Sequence, residues 1–131
     1  MSTRWPPGDA LPPLEPGPIG RGTLAAFARA SGDPNPIHLD PAFARRSGHP
    51  DVFAHGMLSM AYVARMITDI VDQADLRSLR VRFRAVTPLG ASPRCTATVA
   101  STDGATAQLD LAVALPDGTV TITGSAVVAL D

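Results

Sequence analysis

The chain has 131 residues, 45% of them hydrophobic, which is enough for a single domain with an apolar core. Its 11 basic and 12 acidic side chains leave a net charge of −1, so bulk electrostatics exclude a nucleic-acid partner. One cysteine, Cys95, excludes an internal disulfide framework. The longest apolar run, Met57 to Ile67, is interrupted by Ser59 and Arg65 and falls short of the roughly 20 residues of a bilayer span.

Residues 1–22 carry Pro6, Pro7, Pro12, Pro13, Pro16 and Pro18 and no apolar secretory core. They read as an extended arm of the same domain that 23–131 completes, with a short edge strand near Leu11 to Leu14. The expected location is cytoplasmic, with no membrane partner. Thr23 is the expected N-cap of a short helix, Leu24 to Ser31, with Leu24, Phe27 and Ala28 on one face, and Gly32 ends it.

The next segment, Gly32-Asp33-Pro34-Asn35-Pro36-Ile37-His38, is too rich in Gly and Pro for a regular helix. Pro34 and Pro36 fix their own φ and press Asp33 and Asn35 toward extended backbone. A stiff segment that aims a carboxylate and an imidazole at one point suits proton transfer to or from a bound water. Asn35 and Pro36 are read as bracing this loop.

Asp40 and Pro41 then suit the N-cap and first position of a helix to about Arg46. After a loop, His55 or Gly56 opens the longest helix, to about Val71, apolar on most of its circumference and therefore expected to be largely buried. From Leu76 the period changes to two. Leu79, Val81, Phe83 and Ala85 alternate with Arg80, Arg82 and Arg84, a strand with one packed and one cationic face. Strands at about 94–100, 105–115 and 119–130 follow, separated by the hairpin signals Asp103-Gly104 and Asp117-Gly118. The result is an α+β chain in which an antiparallel meander wraps one long helix, since nothing else can cover that helix.

The motif Gly-Asp-x-Asn-Pro-x-His, followed by Ala54-His55-Gly56-Met57, resembles the MaoC-like (R)-specific enoyl-CoA hydratases and 3-hydroxyacyl thioester dehydratases. The likeness runs from about Thr23 to the C-terminus and includes the strand Ser78 to Phe83 and the closing Gly124 to Val128. It implies a single hot-dog fold and a hydro-lyase that needs no cofactor. The substrate would be an acyl thioester of CoA or of a carrier protein. It also implies a dimer, with a second copy or with a related hot-dog chain. The stretch Ala30 to Met60 most resembles the catalytic subunit of heteromeric 3-hydroxyacyl-carrier-protein dehydratases.

By that resemblance Asp33 and His38 act on water, and the backbone N–H of Gly56, at a helix N-terminus, holds the thioester oxygen. Met57 and Met60 are assigned mainly to the core, with an acyl tunnel as the sharper reading. Arg80, Arg82 and Arg84 are either a solvated strand face or, with Arg77, contacts for carrier phosphates. His55 shapes the start of the helix, and His49 is a solvated loop residue. No Cys or Glu cluster accompanies the histidines, so no metal site is expected. Ala64 departs from the family, some members of which carry a small polar residue about there. A thioesterase on the same fold would attack the carbonyl carbon and lacks this signature. A non-catalytic acyl-binding subunit would not need both Asp33 and His38.

Overall fold

In a computed structural model of the protein, which describes residues 5–130, three α-helices precede a four-stranded antiparallel sheet. The helices are α1 (Arg21–Ser31), α2 (Pro41–Arg46) and α3 (Gly56–Thr68). The strands are β1 (Leu76–Phe83), β2 (Arg94–Thr102), β3 (Thr106–Ala114) and β4 (Val120–Ala129), in the order β1-β4-β3-β2. The first four residues of the expected arm, and residue 131 of the expected domain, lie outside the described residues.

The core forms where α3 lies across the sheet. Val63, Met66 and Ile67 meet Val99, Leu109, Leu111, Val113, Ile122 and Val128. The N-terminal arm closes this core from the β2 side. Leu11 N–H donates to Ala97 O at 2.9 Å, and Leu14 and Cys95 exchange backbone hydrogen bonds at 3.1 and 2.9 Å. Trp5, Leu11 and Ile19 are buried, so the arm supplies apolar surface as well as pairing. Leu24, Ala44, Val52, Ala54 and Leu58 form a second cluster with Ile19 beneath the segment that carries the motif.

Four sequence expectations change. The first helix starts at Arg21 rather than after Thr23, with Gly20 in extended backbone as its N-cap. The Arg21 guanidinium grips both carboxylate oxygens of Asp51, at 3.2 and 2.8 Å, and anchors that first turn to the loop before α3. The longest helix ends at Thr68 rather than Val71.

The strands are not a simple meander. The Asp-Gly turns join only β2 to β3 and β3 to β4, whereas residues 84–93 carry the chain from β1 across to the far edge. On the way, Ala54 N–H donates to Thr87 O at 2.9 Å and Gly90 N–H to Ile19 O at 2.7 Å, so this crossing holds the loop before α3 in place. Lastly, α3 is not buried all round. Val63, Met66 and Ile67 face the sheet and Leu58 packs into the second cluster, but Met57 is 55% exposed and Ala61 is exposed beside it. The sheet covers one face of the helix, and Met57, Met60, Ala61 and Ala64, at helical spacing, form a second apolar stripe that it leaves open, with Leu79 of β1 at its border. Among the described residues, no helix is long and apolar enough to cross a membrane.

Gly124 has a steric reason to be glycine. A Cβ there would run into the carbonyl oxygen of Arg80 on the neighbouring strand β1, and backbone has no room to yield. Gly124→Ala is therefore expected to cost about 2–3 kcal/mol and lower Tm by roughly 10 °C. An unchanged melting curve would contradict the close approach. Cys95 on β2 is fully buried, and burial pushes its thiol pKa up to about 11. It should stay silent to an aromatic disulfide reagent in the native protein and react only once denaturant opens the core.

Candidate active site

Local backbone chemistry sets where the motif points. Gly32 ends α1 in the left-handed region, φ 73°, and its N–H and that of Asp33 both return to Ala28 O. That conformation is cheap only for glycine, and it turns the chain so that Asp33 leaves the helix axis. Asp33 Oδ1 then accepts from Asn35 N–H at 3.2 Å, and Asn35 Oδ1 accepts from Ile37 N–H at 3.1 Å. These successive Asx turns lead into a single 3₁₀ turn, Pro36–His38. Asp40 Oδ1 caps α2 by accepting from Ala42 and Phe43 N–H at 3.0 and 3.3 Å.

The 3₁₀ turn drives the His38 ring inward, where it is nine-tenths buried. Its Nδ1 lies 2.7 Å from the carbonyl oxygen of Phe53. A carbonyl only accepts, so Nδ1 carries the proton and Nε2 presents a bare lone pair. Burial, the largest influence, holds the His38 pKa below its ordinary value. The neighbouring His55 acts in the same direction, against the Phe53 carbonyl and the Asp33 carboxylate, which raise it.

His55 has a larger part than shaping the start of α3. Its ring stacks on that of His38 with centroids 3.9 Å apart, and meets Phe27 edge-on at 5.0 Å. Its Nε2–H donates to Asp33 O at 3.1 Å, tying the motif loop to the helix that follows it. The other nitrogen, Nδ1, is buried with no hydrogen-bond partner, which costs the folded protein stability. The sequence signal for this role was the His beside Gly56, but only the fold shows which ring it supports. His49 differs too. It is half-buried with its ring against Phe53 at 4.8 Å, rather than solvated.

Asp33, His38 and His55 thus converge, with one ligand-type atom from each within 4.8 Å of the others. The grouping has the composition of a metal site, a cluster the sequence did not anticipate. Its geometry does not favour one. Zinc ligands bonded at about 2.1 Å sit only about 3.4 Å apart. Here the two rings are tilted by just 26°, so their free lone pairs run in nearly parallel planes instead of meeting at a point.

Two cavities flank the first turn of α3. One, of about 460 Å³, is an apolar groove along the uncovered stripe of the helix, lined by Met57, Met60, Ala61, Ala64 and Leu79, with Asp33 at its side. The other, of about 340 Å³, contains Gly56, Ser59, Phe83, Arg84, Thr87 and Thr121. Gly56 is the first residue of α3, so its N–H has no partner within the helix. A Cβ at Gly56 would lie 3.0 Å from the edge of the Phe83 ring, so a larger residue there would crowd the approach unless that half-exposed ring shifted. Arg84 reaches the cavity; Arg80 and Arg82 are exposed on β1 and line neither space. Met66, by contrast with Met57 and Met60, is in the core.

Residues 6–114 match the family described as "MaoC like domain". An uncharacterised UPF0336 protein of Clavibacter michiganensis is 38% identical over 68 residues, 52% of this chain and 46% of that protein. Another from Streptomyces avermitilis is 34% identical over 98 residues, 70% of this chain and 65% of that one. The chain therefore spans about half to two thirds of the length of these relatives. Among solved structures, the (R)-hydratase from A. caviae involved in PHA biosynthesis superposes with a TM-score of 0.87 at 26% identity, covering 99% of this chain and 100% of its own. The fold is that of the hot-dog hydratases. With the match running from the arm through the Asp33–His38 segment and α3 to the end of β3, the chain belongs to the MaoC-like domain family.

Proposed function

We propose that the protein is a hydro-lyase that adds water reversibly and (R)-specifically across the double bond of a 2-enoyl thioester, and that Asp33, His38 and Gly56 carry the reaction. The observation that carries this reading is the convergence of Asp33 and His38 beside the N-terminus of α3. Family membership and the likeness to the A. caviae (R)-hydratase support the reaction class.

Water is a poor nucleophile and must lose a proton as its oxygen attacks Cβ. The Asp33 carboxylate takes that proton while His38 Nε2 holds the same water. As the C–O bond forms, the π electrons move toward Cα and the thioester oxygen. The Gly56 N–H, reinforced by the positive end of α3, stabilises the enolate that results. Transfer of the proton from the dyad to Cα completes the addition, and the reverse sequence dehydrates a 3-hydroxyacyl thioester. His55 acts through the others, holding the Asp33 backbone and backing the His38 ring.

A partner chain belongs to the same proposal. Strand β1 is at the sheet edge, Phe83 is 51% exposed on it, and Met57 projects beside the open groove. A second copy or a related hot-dog chain laid along β1 would cover these residues and close the groove over Asp33.

With crotonyl-CoA as substrate, Asp33→Asn should lower the rate of enoyl absorbance loss by about 10²–10⁴-fold, with Tm changed by no more than a few degrees. Comparable turnover by the variant would remove Asp33 from the mechanism. The His38 pKa adds a pH test. Because burial lowers the folded value, the stability tied to neutral His38 is complete above the unfolded value and is lost as pH falls through the folded one. Activity that needs a bare Nε2 should follow the same direction. The acid limb of kcat/KM should lie below about pH 6.5, the unperturbed imidazole value. A limb above neutrality would contradict a proton-free His38.

A further inference from the structure

Ser59 is the second buried polar group that ends without a partner among the described residues. It is 2% exposed, three residues after Gly56 and so on the same face of α3, and both line the 340 Å³ cavity. A serine inside a helix usually returns its hydroxyl to the carbonyl four residues back. Here that carbonyl, His55 O, accepts from Leu58 N–H at 3.1 Å, and the Ser59 hydroxyl bonds to no protein atom. Leaving a buried hydroxyl unpaired destabilises the free protein, and alanine would avoid the cost. The wall it belongs to is open to solvent and sets polar groups among Phe53, Phe83, Val86 and Ile122. Thr87 and Thr121 are also buried there, and the Arg84 side chain stands among the same lining residues as a fixed positive charge.

The other cavity differs in chemistry. The groove on the Asp33 side is lined by methionine, alanine and leucine and suits a hydrocarbon chain. A thioester has two ends of different polarity: an acyl chain on one side of the carbonyl, and on the other a thiol arm with amide groups that ends in phosphate. If the carbonyl oxygen sits at Gly56 N–H, one cavity takes each end.

We propose that Ser59 is a binding residue for the thiol arm of the substrate, pairing with the amide nearest the sulfur, with Arg84 placed for the phosphates beyond it and the acyl chain lying in the methionine-lined groove. Ser59 is one helical turn from Gly56, about 4.5 Å along the axis. That rise is close to the span from a thioester carbonyl, through the sulfur and two methylenes, to the amide nitrogen. The assignment rests on the hydratase reading for the position of the carbonyl, but not for its test.

The test uses saturated thioesters, which bind and cannot be hydrated. Calorimetric titration of butyryl-CoA and of phosphate-free butyryl-pantetheine is compared for the parent, Ser59→Ala and Arg84→Gln. S59A should weaken both ligands by about fivefold to tenfold, the share of one neutral hydrogen bond, while its Tm stays level or rises. R84Q, an exposed change, should weaken butyryl-CoA but not butyryl-pantetheine. With crotonyl-CoA, S59A should raise KM and leave kcat within about twofold. Unchanged affinity of S59A would reduce Ser59 to the contact of a bound water and overturn the proposal. Equal effects of R84Q on the two ligands would overturn the orientation, and a parent that binds neither thioester would overturn the site. A parent that binds butyryl-CoA with the expected S59A loss yet fails to hydrate crotonyl-CoA would contradict the hydratase reading alone.

Discussion

Two hydrogen bonds from imidazole rings to backbone carbonyls hold the two halves of the site together. His38, on the motif segment, donates from Nδ1 to Phe53 O just before α3. His55, at the start of α3, donates from Nε2 back to Asp33 O. Each ring belongs to one segment and bonds the other, and the rings stack at 3.9 Å. The exchange fixes the tautomer of both rings, because a carbonyl oxygen can only accept. It also sets the position of Asp33 relative to Gly56 across 22 residues of intervening chain. The remaining architecture protects this arrangement. Arg21 grips Asp51, Ala54 is bonded to Thr87, and the second apolar cluster fills the space under both segments.

Such a clamp has a cost that reveals its use. His55 Nδ1 is buried and unpaired, and His38 is held neutral largely by burial. Neither feature stabilises the fold, and the burial of His38 lowers the proton affinity of the ring whose free nitrogen faces the reacting water in the proposed mechanism. Buried groups that work against stability are expected where chemistry or binding takes place. Ser59 follows the same pattern one turn along α3.

Much of this was legible in the sequence, and the limits have physical causes. The αL glycine after α1, the Asp40-Pro41 helix start and the two Asp-Gly hairpins are local events governed by a few adjacent residues. The pairing of β1 with β4 rather than β2 is not local. It depends on how the 84–93 crossing packs against the loop before α3 and the N-terminal arm, and no turn residue encodes that. Periodicity marked α3 as apolar on most of its circumference, but it does not distinguish a face that meets the sheet from one that lines a groove, as Met57 and Met60 do. Asp33 and His38 could be singled out because prolines stiffen the short segment between them. The stacking of His55 on His38 requires the α3 terminus to fold against a loop 17 residues earlier, so spacing alone carried no sign of it. Ser59 looked like an interruption in a hydrophobic run, and its unpaired hydroxyl emerges only when its surroundings are known.

The identity of the product formed from crotonyl-CoA, read by chiral chromatography alongside a thiol-sensitive dye, is the most direct test. With Asp33 and His38 in their proposed roles, directing water to Cβ from one face while Gly56 holds the carbonyl oxygen, the expected product is (R)-3-hydroxybutyryl-CoA with the thioester intact. Release of free CoA without a hydroxylated thioester would place the attack at the carbonyl carbon and contradict it.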